Sequence, residues 1–201
     1  DDRQDTLPEI LSMCRANGKE DMVLIFASTS KISFAGAGIS CIAASLGNLE
    51  WVKKSMTIQI ISHDKINQLR HVLYFKDLEG VKEHMRKHAA IMRPKFELVL
   101  ETLERELDGL AIGTWTKPLG GYFISFNTMD GCAKAVVERC KEAGVTLTGA
   151  GATYPYKKDP HDSNIRIAPS YPTLEELKIT GELFVLCVKL VSVEKLLSEK
   201  A

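Results

Sequence analysis

The 201-residue sequence lacks several features that would place it quickly. No apolar run reaches the roughly 18 residues that a membrane-spanning helix needs, and no signal-like start is visible, so no membrane is expected. Charge of one sign is also missing: 26 lysines and arginines meet 26 aspartates and glutamates. A surface built to hold nucleic acid or anionic lipid carries a basic surplus, so neither is expected as a partner. The five cysteines (Cys14, Cys41, Cys132, Cys140, Cys187) are odd in number and form no C-x-x-C pair, which reads most simply as free thiols in a reducing cytoplasm. Gly36-x-Gly38 and Gly149-x-Gly151 stop short of G-x-G-x-x-G, so there is no dinucleotide fingerprint. His84 and His88 stand four apart on a helical pattern, yet neither the H-E-x-x-H glutamate nor a third ligand accompanies them, and no metal is expected. There is no internal repeat and no low-complexity segment. The absence of a starting Met suggests that further residues precede Asp1.

What is present is enough apolar content for a sizeable core, in one large or two small domains. The pattern is α/β. A short apolar run, Met22 to Ala27, leads into Ser28-Thr29-Ser30-Lys31, then Gly36-Ala37-Gly38, then a second apolar run from Ile39 to Ala44. Continuous runs of this kind read as buried, parallel-type strands, and function collects at strand ends. A lysine after a strand is ordinarily a solvated one. Here hydroxyls suited to a phosphate precede it, and an amine held between buried flanks can form a Schiff base with a carbonyl.

Before this stretch, Leu7 to Ala16 has helical spacing. After it, Asn48 is expected to cap a helix from Leu49 to about Ile60, and Asp64 another through Leu73. The longest helical pattern runs from Leu78 to Leu107 through Pro94, which should bend it or change its register. We place a domain boundary at its start, dividing residues 1–77 from 78–201. Beyond Asp108-Gly109 the pattern is α+β: strands at Leu110 to Trp115 and Tyr122 to Phe126, and a helix after Asp130. Short strands follow at Val145 to Leu147 and Ile165 to Ala168, and a final helix opens on the capping box Thr173-Leu174-Glu175-Glu176.

Arg166 lies inside the apolar run Ile165-Arg166-Ile167-Ala168-Pro169. An unpaired guanidinium there is costly, and its planar fork suits a carboxylate, either a structural aspartate or glutamate or that of a ligand. Arg70, in Asn67-Gln68-Leu69-Arg70-His71, is equally compatible with a surface role and with binding.

At these residues a resemblance emerges. Phe26-Ala27-Ser28-Thr29-Ser30-Lys31-Ile32 with Phe34-Ala35-Gly36-Ala37-Gly38 resembles the cofactor-lysine segment of class I aminotransferases, fold-type I enzymes that use pyridoxal 5'-phosphate (PLP). The match is to their bacterial-type aspartate aminotransferase group. Ser163 to Ser170 is similar to the segment whose arginine grips the substrate α-carboxylate. Lys117-Pro118-Leu119-Gly120-Gly121-Tyr122-Phe123 is similar to a Pro-x-Gly-Gly-aromatic-Phe turn near the site. Two departures stand out: Ile39 replaces a phosphate-binding arginine common in the class, and Gly149 stands where proline is expected.

The resemblance implies a C-terminal half of such an enzyme: residues 1–77 from the end of the large-domain sheet, residues 78–201 the small α+β domain. It makes Lys31 the lysine that bonds to PLP and moves the substrate proton. Ser28 and Ser30 become cofactor ligands, Arg166 the α-carboxylate anchor, and Arg70 a reader of a second carboxylate across a homodimer interface. An amino acid, with aspartate the expected one, and a 2-oxo acid would be the substrates. The phosphate cradle and ring contacts of the family match no segment here. They are expected before Asp1, and the chain by itself is expected to be inactive. Another fold-type I activity, a β-lyase or decarboxylase, and the aminotransferase-like effector domain of a transcription regulator are the alternatives.

Overall fold

The computed structural model describes residues 4–200, which separate into two compact units. One runs from Thr6 to Ala89; the other comprises residues 90–200 with Gln4 and Asp5. The division falls inside a single long helix.

The first unit begins with helix α1, Ile10–Ala16, shorter than its apolar spacing suggests because Glu9 caps it, accepting from the amides of Leu11 and Ser12. Strands β1, Leu24–Ser28, and β2, Ser40–Ala44, follow. They pair antiparallel, from Leu24 opposite Ala44 to Ser28 opposite Ser40. This corrects the expectation of parallel-type buried strands. The segment between them contains no crossover helix, which a parallel pair requires, so the chain turns straight back. Nor are the strands buried: β1 and β2 form a two-stranded ribbon, and Phe26 remains 70% exposed.

Helix α2 spans Leu46–Gln59 with Ser45 as its N-cap. Asn48, expected in that role, lies within the first turn instead, and its side-chain amide donates to the Asp21 carbonyl. Helix α3, Lys65–Phe75, starts as its sequence indicates, with the Asp64 carboxylate accepting from the Asn67 amide at 2.9 Å. It buries His71 and Phe75. Helix α4, Leu78–Leu107, continues through Pro94, whose missing N–H removes one backbone bond without ending the helix.

The second unit holds a well-filled core. Strands β3, Gly113–Trp115, β4, Ile124–Thr128, and β5, Asn164–Ile167, form an antiparallel sheet in the order β3-β4-β5. Ile124, Phe126 and Ile165 are fully buried, and they pack with Leu103 and Leu107 of the second part of α4. Helix α5, Ala133–Glu142, contributes Val136 and Cys140, and helix α6, Leu174–Ser198, contributes Phe184 and Val188. Phe126 sits between Trp115, stacked at 6.2 Å, and Phe184, edge-on at 5.1 Å. Position 113 favours glycine, because a Cβ there would stand 2.6 Å from the Phe126 ring.

Asp130 was expected to open α5, but its carboxylate accepts from His161 instead. Asp162 supplies the cap from a distant loop, its carbonyl taking the Ala133 amide at 2.8 Å. Val145 to Leu147 forms no strand, whereas the capping box at Thr173 and Glu176 is complete. All five cysteines are free, and Cys132, Cys140 and Cys187 are buried. Burial and the neighbouring Cys187 push the Cys140 thiol up to about 12, so it stays protonated. Among the described residues no helix is long and apolar enough to cross a membrane.

Candidate functional site

In the first unit, the residues singled out around Lys31 share one turn at the end of β1. The Thr29 carbonyl accepts from the amides of both Ile32 and Ser33 at 2.8 Å, which places Ser30 and Lys31 at the apex. Lys31 is exposed there. Ser28 and Ser30 share a hydroxyl–hydroxyl hydrogen bond, and Ser28 Oγ also accepts from the Ser30 amide at 3.1 Å. Two exposed hydroxyls, a backbone amide and an adjacent lysine thus converge on one strand end. Gly38 permits this: a Cβ on it would come within 3.1 Å of the Ser30 backbone and hydroxyl.

The turn is held from behind by residues that sequence reasoning missed. Thr29 closes the base of the loop, its amide donating to the Ile39 carbonyl at 2.8 Å and its hydroxyl accepting from the Ile39 amide at 2.9 Å. Ser33 Oγ lies 2.8 Å from Thr29 Oγ1 and 2.7 Å from Nε2 of His71. His71 is only 3% exposed. Its Nδ1 is 2.8 Å from the Asn67 carbonyl, which can only accept, so Nδ1 carries a proton, and Nε2 faces the Ser33 hydroxyl. Asn67 ties down the far side of the loop, its amide donating to the Ala37 carbonyl at 2.8 Å. A lone helical histidine gives no sequence signal of this. The only hint was the spacing of four shared by Thr29 with Ser33 and Asn67 with His71. Arg70 belongs to the same helix but is exposed.

In the second unit, Arg166 lies on β5 opposite Ser125 of β4. Its strand neighbours Ile165 and Ile167 turn into the core, which leaves Arg166 on the other face. Its guanidinium lies over the Phe123 ring, 4.4 Å from the centroid. Arg166 Nε is buried and has no hydrogen-bond partner among the described residues. Nor does any aspartate or glutamate among the described residues form an ion pair with Arg166.

The strand is anchored at its start. Asn164 donates to Ser125 Oγ at 2.9 Å and to the Asn127 side-chain carbonyl at 2.8 Å, and it accepts from Thr153 at 2.6 Å. Asp159 accepts from the amides of His161, Ser163 and Asn164. Loss of water would raise its pKa, but these amides, led by that of Asn164, outweigh it and hold Asp159 below the usual carboxylate range. After the strand, Lys95 donates to the carbonyls of Ser170 and Pro172 at 2.8 and 2.6 Å. Among the described residues no cluster of three or more metal-ligating side chains occurs.

An exposed lysine beside two paired hydroxyls, and an arginine whose buried Nε is unpartnered among the described residues, are parts that several enzyme classes could use. The comparison with known proteins identifies the family. The sequence profile of the family described as aspartate amino-transferase matches residues 2–200. The chain belongs to this family.

An aspartate aminotransferase of Corynebacterium glutamicum is 44% identical over 193 residues, covering 94% of this chain and 45% of that relative. A solved aspartate transaminase from the same species superposes with a TM-score of 0.91 at 43% identity, over 97% of this chain and 46% of that one. LysN, an α-aminoadipate aminotransferase of Thermus thermophilus solved with N-(5'-phosphopyridoxyl)-L-leucine, shares the fold. Its TM-score is 0.76 at 20% identity, over 95% of this chain and 48% of that one. The chain thus spans about 45% of the length of the curated relatives it matches. Its fold is that of the later part of fold-type I aminotransferases, mixed α/β with small sheets.

Proposed function

We propose that the protein carrying this chain is an aminotransferase that moves an amino group between an amino acid, aspartate foremost, and a 2-oxo acid, using PLP. The observation that carries the reading is the turn at the end of β1, where Lys31 stands exposed at the apex beside the paired hydroxyls of Ser28 and Ser30. Their chemistry fits the group: hydroxyls and a main-chain amide suit a phosphate, and a primary amine suits an aldehyde carbon. The solved neighbour that carries a phosphopyridoxyl–amino acid adduct supports the same cofactor.

In this reading Ser28 and Ser30 hold the phosphate and Lys31 Nζ holds the cofactor carbon. Bound there, the cofactor supplies an electron sink for the bond broken at the substrate Cα. Lys31 Nζ would be the base that moves the Cα proton to the cofactor carbon in one half of the exchange and a proton in the opposite sense in the other. Arg166 takes the substrate α-carboxylate. Its unpaired Nε and the Phe123 ring beneath the guanidinium support this, since a buried donor gains most from a charged acceptor. Arg70 reads the side-chain carboxylate of a dicarboxylic substrate. We assign residues 1–77 to a large cofactor domain and 78–201 to a small domain, and expect the intact protein to be a homodimer.

The test is turnover of aspartate with 2-oxoglutarate by the intact protein, compared with Lys31→Ala. Activity lost in the variant, with its fold retained, is the expected result. Equal activity in the two would overturn the assignment.

A further inference from the structure

The loop from Thr29 to Ile39 is exposed at its apex and lies on a ribbon with little buried surface, so its shape must come from specific bonds. Most of these close the loop on itself, and the side-chain bonds that leave it lead to one face of α3. Asn67 holds the Ala37 carbonyl on the returning limb, and His71 holds Ser33 on the outgoing limb. The two anchors lie one helical turn apart and are themselves joined, because His71 Nδ1–H donates to the Asn67 carbonyl. That bond puts a proton on Nδ1 and leaves Nε2 directed at Ser33. Phe34 packs edge-on against the imidazole at 5.5 Å and Phe75 lies beside it at 5.9 Å, so the ring has little freedom to rotate.

We propose that His71 is the positioning residue of the Lys31 turn, acting through Ser33 and Thr29. It is buried behind the turn and acts through these two residues. The chain of bonds runs from the Asn67 carbonyl through the imidazole to Ser33 Oγ, on to Thr29 Oγ1, and from Thr29 to the Ile39 amide. Thr29 is flanked by the two serines, and its carbonyl closes the turn that bears Lys31. A shift of Ser33 therefore moves the amine and both hydroxyls together. This inference rests on the reading of Lys31 as the reacting amine. Its geometric core, the dependence of the turn on His71, stands apart from that reading.

The experiment uses the intact protein and three variants: His71→Phe, His71→Gln and Ser33→Ala. Phenylalanine keeps a ring between Phe34 and Phe75 but loses both hydrogen bonds. Glutamine places an amide near the Nε2 position, and its oxygen or nitrogen can still bond the Ser33 hydroxyl. Two quantities are measured. One is the rate at which trace acetic anhydride acetylates Lys31 in cofactor-free protein, referenced to the exposed Lys53 and Lys54 in the same digest. The other is kcat and KM with cofactor bound.

His71→Phe and Ser33→Ala should both change Lys31 labelling severalfold and lower kcat on the order of tenfold to a hundredfold with little change in KM, the cost of a misplaced reacting group. Their effects should not add in the double variant, because both break one bond. His71→Gln should restore most of the loss. Unchanged labelling and kcat in Ser33→Ala would overturn the proposal, even if His71→Phe fails to fold. So would a glutamine variant no better than phenylalanine, which would reduce His71 to packing. Should Lys31→Ala remain active while labelling still follows His71, the fault would lie with the role of Lys31 and not with the turn.

Discussion

Replacing Arg166 with methionine separates a ligand-binding arginine from a structural one by the sign of the stability change. Were Arg166 half of a buried ion pair, removing it would strand a carboxylate and cost about 3–5 kcal/mol. The structure gives a different balance. No acceptor among the described residues meets Arg166 Nε, and a buried donor left unpaired costs about 1–3 kcal/mol. Methionine removes that cost and keeps the aliphatic stem. Against it stands the lost contact with the Phe123 ring, worth about 0.5–1 kcal/mol at a partly exposed site. The net change in folding free energy should lie between about zero and a gain of about 2.5 kcal/mol. Urea denaturation of this chain and its variant, monitored at Trp115 in the same unit, measures it. In the intact protein the same change should weaken amino acid and oxo acid alike by about 2–5 kcal/mol, because a charged contact to a carboxylate is lost. At about 1.4 kcal/mol per tenfold, that is roughly thirtyfold to several thousandfold in affinity. A variant destabilised by about 3 kcal/mol or more with unchanged substrate constants would refute the reasoning and return Arg166 to the scaffold.

Other outcomes follow from the same geometry. Phe126→Ala should destabilise the second unit by about 3–5 kcal/mol in urea titrations, since a fully buried ring between Trp115 and Phe184 leaves a cavity. Gly113→Ala should cost about 1–3 kcal/mol in the same titration, by overpacking against that ring. Because the folded-state pKa of Asp159 is depressed, its stabilising contribution is complete above its ordinary value of 3.8 and is lost as pH falls through the lower folded value. Asp159→Asn should accordingly flatten the acid limb of a stability–pH curve for this chain. Arg70→Ala should leave stability within about 0.5 kcal/mol, as befits an exposed residue. In the intact protein it should weaken aspartate and glutamate far more than alanine; equal losses would give Arg70 a fold or interface role.

The parts of the fold that the sequence conveyed are those written in local chemistry. Asp64, the Thr173–Glu176 capping box and the bounds of α4 follow from capping and apolar spacing, and all appear where expected. What it did not convey depends on distant partners. The cap of α5 comes from Asp162 rather than Asp130, because a loop far along the chain reaches the helix start. The antiparallel pairing of β1 and β2 is set by the return path of the loop, while apolar runs look alike in either sense. Among the candidate residues, Ser28, Ser30 and Lys31 of the first unit and Arg166 of the second carried a recognisable sequence pattern. His71 did not, since its role rests on bonds to residues about 40 positions away.

The central claim is that Lys31 is the residue that bears the cofactor. The direct measurement is borohydride reduction of the intact, cofactor-loaded protein, followed by proteolysis and mass spectrometry of every lysine-containing peptide. The account predicts one pyridoxyl group per chain, carried on Lys31 in the peptide containing Ser28 and Ser30, and its loss in Lys31→Ala. A pyridoxyl group found in stoichiometric amount on any other lysine would contradict it.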